Sequence, residues 1–316
     1  MIAFLFPGQG SQTVGMGKAL ADAFPEARAA FDEADAAFAA AAAAPGGPSL
    51  RQLCFEGPED QLTLTEHTQP AILAASIAAA RVLEARGIHP QWVAGHSLGE
   101  YSANVVAGTF AFADAIGIVR RRGRYMQEAV PPGQGAMAAI LGLDAGDVRR
   151  ACEEAAEGDV VSPANINSPS QIVIAGAAGA VQRAGERARA LGAKRVIPLA
   201  VSAPFHCALM MPAAARLEPE LRALAVRDPR VPVVANVDAE PKRDARAAIE
   251  ALVRQVSAPV LWEDVVSRLA SEGVTTYVEV GPGRVLGGLV RKIHKDARIL
   301  AFAAPDDLRS MAPLSR

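Results

Sequence analysis

Short apolar runs that break at glycine-bearing turns alternate along this chain with longer stretches of helical spacing. Ile2 to Phe6 predicts a strand that runs into Pro7-Gly8-Gln9-Gly10-Ser11-Gln12. A helical stretch follows, then the alanine-rich segment Ala36 to Ala44, which Pro45-Gly46-Gly47-Pro48 must end as a surface loop. Gln69 to Arg86 predicts a long helix, with Pro70 in its first turn and Gly87 closing it. Gln91 to Ala94 predicts a short buried strand leading into Gly95-His96-Ser97-Leu98-Gly99 and another helix. Phe112 to Val130 is again helical and stops at Pro131-Pro132-Gly133.

After that stop the rhythm changes. Met137 to Leu141, Val160 to Ile166, Gln171 to Ala175 and Arg195 to Val201 read as strands, while Ala145 to Ala156 and Ala180 to Leu191 read as helices. The order β-α-β-β-α-β is the split βαβ signature of a ferredoxin-like unit. The chain then returns to its first rhythm. Helices are expected around Ala213 to Leu224 and Arg246 to Gln255, and strands at Val231 to Ala235 and Tyr277 to Val280. The last strand enters Gly281-Pro282-Gly283 and a helix that ends in Arg291-Lys292-Ile293-His294-Lys295. The pattern predicts an α/β protein whose large subdomain, residues 1–128 and 203–316, is interrupted by a ferredoxin-like small subdomain over 129–202.

Composition narrows the class without naming a chemistry. The 316 residues are 51% hydrophobic and 21% charged, enough apolar material for a sizeable core. A net charge of −2 argues against a generic nucleic-acid binder, and no apolar run is long enough for a membrane span. MIAFLFPGQG lacks the basic start of a signal peptide. Cys54, Cys152 and Cys207 show neither disulfide nor metal-ligand spacing. A reduced, cytoplasmic, monomeric protein is expected.

The sharpest chemical signal is G-x-S-x-G at residues 95–99, because an apolar strand precedes it and a helix follows. That setting makes a nucleophile elbow, with Ser97 exposed at its apex and the Leu98 N–H aimed at a developing oxyanion. A serine needs a base, and the chain has five histidines. His67 precedes a helix, His89 lies in a polar loop, His96 diverges from its neighbour Ser97, and His294 sits in a basic helix end. His206, following an apolar strand through Ala203-Pro204-Phe205, is the best candidate by elimination; no acidic residue stands out to orient it. On a helical wheel of ~100° per residue, Phe112, Ala115, Ile116, Val119, Gly123 and Met126 form one stripe. Arg122 falls inside its edge, whereas Arg120, Arg121 and Arg124 fall outside. A buried-side arginine implies either a structural salt bridge or a clamp for a substrate carboxylate.

Taken together, FPGQGSQTVGMG, TQPAILAAS, AGHSLGEYSA, RRGRYMQEAVP, GAMAAILGL, SPANINSPSQIVIAG, AKRVIPLAVSAPFHCALM and EVGPGRVLGGL resemble, in order, the malonyl-CoA:acyl carrier protein transacylases of bacterial fatty-acid synthesis. The resemblance implies an α/β-hydrolase-like large subdomain around the ferredoxin-like insert. It also implies Ser97 as acyl-accepting nucleophile, His206 as base, and the backbone N–H groups of Gln9 and Leu98 as oxyanion hole. Arg122 would pair with the malonyl carboxylate, the main-chain carbonyl of Gln255 would orient His206, and Phe205 would favour malonyl over methylmalonyl. The partners implied are malonyl-CoA, as substrate, and acyl carrier protein; no cofactor or metal is called for. Carrier proteins are acidic, so Lys194, Arg195, Arg291 and Lys292 are candidate docking residues. The same chemistry could serve polyketide or malonate metabolism. A serine hydrolase or thioesterase is a further alternative, although it has no reason to place Arg122 on a buried stripe. A catalytically dead binding module is harder to reconcile with Ser97, His206 and Arg122 all being present.

Overall fold

The structure, a computed structural model, describes residues 1–41 and 47–314. The expected loop beyond Ala41 therefore falls largely outside the described residues, while Ala36 to Ala40 complete the helix Pro25–Ala40. Its strands are β1 (Ile2–Phe6), β2 (Trp92–Gly95), β3 (Gly135–Leu141), β4 (Val161–Ser168), β5 (Gln171–Ala177), β6 (Arg195–Pro198), β7 (Val233–Val234), β8 (Pro241–Lys242), β9 (Thr276–Val280) and β10 (Arg298–Phe302). They form two sheets, ordered β10-β9-β1-β2-β7-β8 and β4-β5-β3-β6. The first is parallel except for β8, and the second is antiparallel throughout.

Strand β1 is buried on both faces, which is why it reads as an unbroken apolar run. Its alternation divides the core: Phe4 and Phe6 pack with the helix Thr65–Glu84, while Ala3 and Leu5 face Trp262, Val265 and Leu289 on the opposite side. The same period of two gives the small sheet two kinds of face. Ala138, Ile140, Ile172 and Ile174 pack on the helices Ala145–Ala155 and Ala178–Ala190. Met137, Ala139 and Val173 point the other way, over a cleft between the two sheets.

Several predicted elements differ in extent. The helix expected from Gln69 starts at Thr65, so Pro70 lies inside it and His67 in its first turn. The proline removes a donor that would have met the Glu66 carbonyl, close enough to the helix start to be tolerated. The strand expected over Val231 to Ala235 shrinks to two residues, and β6 ends at Pro198. The helix Trp262–Ser271 and strand β10 are additions to the predicted set. The helix buries Trp262, Val265, Val266 and Leu269, a regular helical stripe.

Candidate active site

Sheet register brings the site together. Parallel pairing sets Phe6 beside Gly95 and Val234 beside Ala94, so β1, β2 and β7 end at one edge. The chain just beyond those ends supplies Gln9, Ser97 and Asn236. Ligands of open α/β sheets gather at this carboxyl edge. At the elbow, Ser97 adopts a left-handed φ of 52°, a strained conformation for a serine. The turn is tight enough that a Cβ on Gly95 would lie 1.9 Å from the Gly99 carbonyl carbon, and one on Gly99 would lie 2.0 Å from the Phe6 oxygen. Only glycine fits at either position.

Ser97 Oγ lies 2.7 Å from His206 Nε2. The Nδ1–H of His206 donates to the Gln255 carbonyl at 3.0 Å, which leaves Nε2 as the acceptor facing the serine hydroxyl. Burial first, and the Arg122 charge second, push the imidazole down to about 3, so it is neutral near pH 7. The backbone N–H groups of Gln9 and Leu98 make no hydrogen bond among the described residues. Both residues line the same cavity of about 550 Å³ as Ser97, Arg122, Phe205 and His206.

Arg122 is 1% exposed. Its guanidinium donates to Gln69 Oε1 at 2.8 Å, to Gln255 Oε1 at 3.0 Å and to Ser97 Oγ at 3.2 Å, and it lies over the Tyr101 ring. No carboxylate bonds it among the described residues, so the structural salt bridge weighed as its alternative role is absent. Burial lowers its pKa from the ordinary arginine value, opposed by Tyr101 and Glu100.

Sequence reading missed a buried polar cluster behind the serine. Asn236 accepts from the Ser97 N–H at 2.7 Å and donates to the Gly95 carbonyl at 2.7 Å. The Gln255 side-chain amide donates to the Ser97 carbonyl at 2.9 Å and to Glu100 Oε2 at 2.8 Å. Glu100 Oε2 also accepts from the Asn236 N–H at 2.9 Å. The strained elbow is therefore held at both its N–H and its C=O by side chains from elsewhere. No single-segment motif announces this, since residues 97, 236 and 255 are far apart in the chain.

The remaining candidates have local roles. His96 bonds Asn167 Oδ1 at 2.8 Å and packs on Trp262, diverging from the serine as expected. His67 bonds the Gln61 carbonyl, and His294 the Tyr277 hydroxyl. Cys207 is buried against the Pro204 carbonyl. Lys194, Arg195, Arg291 and Lys292 do not line the cavity that holds Ser97 and His206.

Residues 3–305 match the family described as acyl transferase domain. The chain is 52% identical over 313 residues to the malonyl CoA-acyl carrier protein transacylase of Escherichia coli (strain K12), covering 99% of each protein. It is 47% identical over 308 residues to that of Bacillus subtilis (strain 168), covering 97% of this chain and 95% of the relative. Among solved structures it resembles an acyl carrier protein S-malonyltransferase from Vibrio cholerae, with TM-score 0.94, 45% identity and 98% and 99% of the two chains covered. It also resembles a malonyl-transacylase solved in complex with its type II polyketide acyl-carrier protein, with TM-score 0.93, 48% identity and 98% of each chain covered. On this likeness over nearly its whole length, the chain belongs to the malonyl CoA-acyl carrier protein transacylase family of acyl transferases.

Proposed function

We propose that this protein transfers the malonyl group of malonyl-CoA to the phosphopantetheine thiol of acyl carrier protein through a malonyl ester on Ser97, supplying fatty-acid elongation. The observation that carries the reading is Arg122, a buried cation within hydrogen-bond distance of the nucleophile and bonded to no carboxylate among the described residues. A buried guanidinium that no carboxylate touches directly is costly, and an acyl group ending in a carboxylate pairs with it in contact. Similarity to the transacylase solved with a polyketide carrier favours, as a second reading, the same transfer onto a polyketide carrier.

In the first half-reaction Ser97 Oγ attacks the thioester carbon as its proton passes to His206 Nε2. The N–H groups of Gln9 and Leu98 hold the oxyanion, and Arg122 holds the distal carboxylate. Collapse breaks the C–S bond, and the CoA thiolate takes the proton back from His206. In the second half-reaction the carrier thiol gives its proton to His206 and attacks the ester. Ser97 leaves and is reprotonated. Burial, the larger cause of the lowered His206 pKa, is the same whichever acyl group binds, so the base starts neutral with either substrate. Phe205, almost buried beside His206 in the cavity wall, limits room for a branched acyl group.

The division into an α/β-hydrolase-like large subdomain (1–128 and 203–316) and a ferredoxin-like small one (129–202) belongs to the same reading. The antiparallel order β4-β5-β3-β6, produced by a β-α-β-β-α-β chain, supports the second half of it. So does docking. Leu141 pairs with both Gln171 and Arg195, Lys194 donates its N–H to the Leu141 carbonyl, and Lys292 Nζ reaches Gln171 at 3.1 Å. The two basic pairs thus adjoin at one end of the small sheet, a surface suited to an acidic carrier. The reading calls for a cytoplasmic monomer without a cofactor.

Intact-mass measurement after mixing with malonyl-CoA tests the proposal. One malonyl group should add, disappear on addition of carrier protein, and never form on Ser97→Ala. A wild-type protein that stays unmodified would overturn the serine mechanism.

A further inference from the structure

The most heavily buried carboxyl near the reacting atoms is one the mechanism above leaves unused. Glu100 is 1% exposed and stands on the elbow helix Gly99–Ala107. It does not line the cavity. A continuous chain of hydrogen bonds nevertheless joins it to the substrate-facing arginine. Arg122 donates to Gln255 Oε1 at 3.0 Å, and the Nε2 of the same carboxamide donates to Glu100 Oε2 at 2.8 Å. Gln255 is thereby polarised between a group that can only donate and one that, when ionised, only accepts. The second bond to Glu100 Oε2 also comes from a donor, the Asn236 N–H. Both bonds therefore favour the ionised carboxylate.

We infer that Glu100 is the resident counter-ion of Arg122 in the substrate-free enzyme, coupled to it through the Gln255 carboxamide, and that it sets how strongly the site favours an acyl group bearing a carboxylate. The inference rests on the reading that Arg122 receives the malonyl carboxylate. When that carboxylate arrives, two negative groups share one guanidinium. Glu100 then acts as a brake on malonyl selectivity, the opposite of what a merely structural residue would do. It is a positioning and electrostatic residue, acting through Gln255 and never touching the substrate.

The other charged groups facing Glu100 do not substitute for it. Asp238, between β7 and β8, and Lys242, at the end of β8, pair with each other at 2.9 Å and act on Glu100 in opposite directions. Tyr101, its helix neighbour, is pushed up to about 12 by burial and stays neutral. Burial raises Glu100 itself to about 7, against the opposing pull of its bonds to Asn236 and Gln255. Falling pH therefore protonates it and releases the brake.

The test is the malonyl-to-acetyl ratio of kcat/KM. Glu100→Gln keeps an oxygen for both donors but removes the charge, and should raise the ratio by about threefold to tenfold. An unchanged or lowered ratio in a folded Glu100→Gln enzyme overturns the inference. Wild-type enzyme supplies a second measurement that needs no variant. Its ratio should climb as pH falls from about 8 to about 6, because the malonyl carboxylate stays ionised there while CoA phosphates and His206 are common to both substrates. A flat wild-type ratio over that range also overturns it. Glu100→Gln should have no effect on the ratio when Arg122→Ala is already present. If Arg122→Ala alone leaves the ratio untouched, the carboxylate reading itself fails. If Arg122→Ala collapses the ratio and Glu100→Gln does not raise it, only the counter-ion role fails.

Discussion

Gln255 holds His206 with its backbone and serves the rest of the site with its side chain. Its carbonyl accepts from His206 Nδ1 at 3.0 Å, while its carboxamide joins Arg122, the Ser97 carbonyl and Glu100. The place taken by a carboxylate in a Ser-His-Asp triad is here a main-chain oxygen at the end of the helix Ala245–Gln255. The imidazole is oriented without a carboxylate at its Nδ1.

That division of labour separates two effects of one substitution. Gln255→Ala keeps the carbonyl and deletes the carboxamide, so His206 should stay oriented while Arg122 and the elbow lose a partner. Malonyl transfer is expected to fall about tenfold or more, and acetyl transfer by less. Steady-state rates with the two thioesters check it; equal losses would mean that the carboxamide serves only the elbow.

If Arg122 receives the malonyl carboxylate as proposed, Arg122→Ala removes one member of a desolvated ion pair. Such truncations cost roughly 2–5 kcal/mol, or tens- to thousands-fold in kcat/KM. Acetyl transfer should fall little or rise. Arg122→Lys should restore malonyl transfer only in part, because an ammonium cannot make the planar fork. Competition between malonyl-CoA and acetyl-CoA in one reaction gives the ratio directly.

The free enzyme should show an unusual acid limb. His206 is depressed to about 3, so it remains unprotonated and competent from about pH 5 to pH 8. With a short acetyl thioester that lacks phosphates, kcat/KM should be flat across that window. The sign follows from the direction of the shift: a lowered pKa moves loss of the neutral base to more acidic solution. A limb centred near an ordinary histidine value of about 6.5 would contradict this environment for His206.

Charge reversal at Arg291 and Lys292, or at Lys194 and Arg195, should slow the second half-reaction more than the first. The difference should grow at low salt, where an exposed patch acts over a longer range. Stopped reactions that follow loss of the malonyl-enzyme on adding carrier protein, against its formation from malonyl-CoA, separate the two steps. Equal slowing of both would remove this patch from consideration.

Legibility in the sequence followed the range of the interactions. The elbow was readable because Gly95, Ser97 and Gly99 meet steric demands within five residues. Arg122 was readable because one helix defines its own buried stripe, and the arginine is indeed buried. Gln255 entered only through family resemblance, and then only for its carbonyl. Its side chain, Asn236 and Glu100 act across intervals of more than a hundred residues, and no periodicity encodes such meetings. The helix Trp262–Ser271 carried a plain stripe of its own, yet follows the break at Ala258-Pro259, where the local pattern is interrupted.

The two-faced small sheet has a bearing on how the family's substrate range can diversify. Along β3 and β5, neighbouring positions answer to different demands: Ala138, Ile140, Ile172 and Ile174 keep the helices attached, whereas Met137, Ala139 and Val173 roof the cavity beside Ser97. Changes confined to the second set remodel the chamber while the helix-bearing face stays intact. Evolution, or a designer, can therefore retool the roof by alternate residues of two strands, leaving Ser97, His206 and Gln255, which lie outside the small sheet, unaltered.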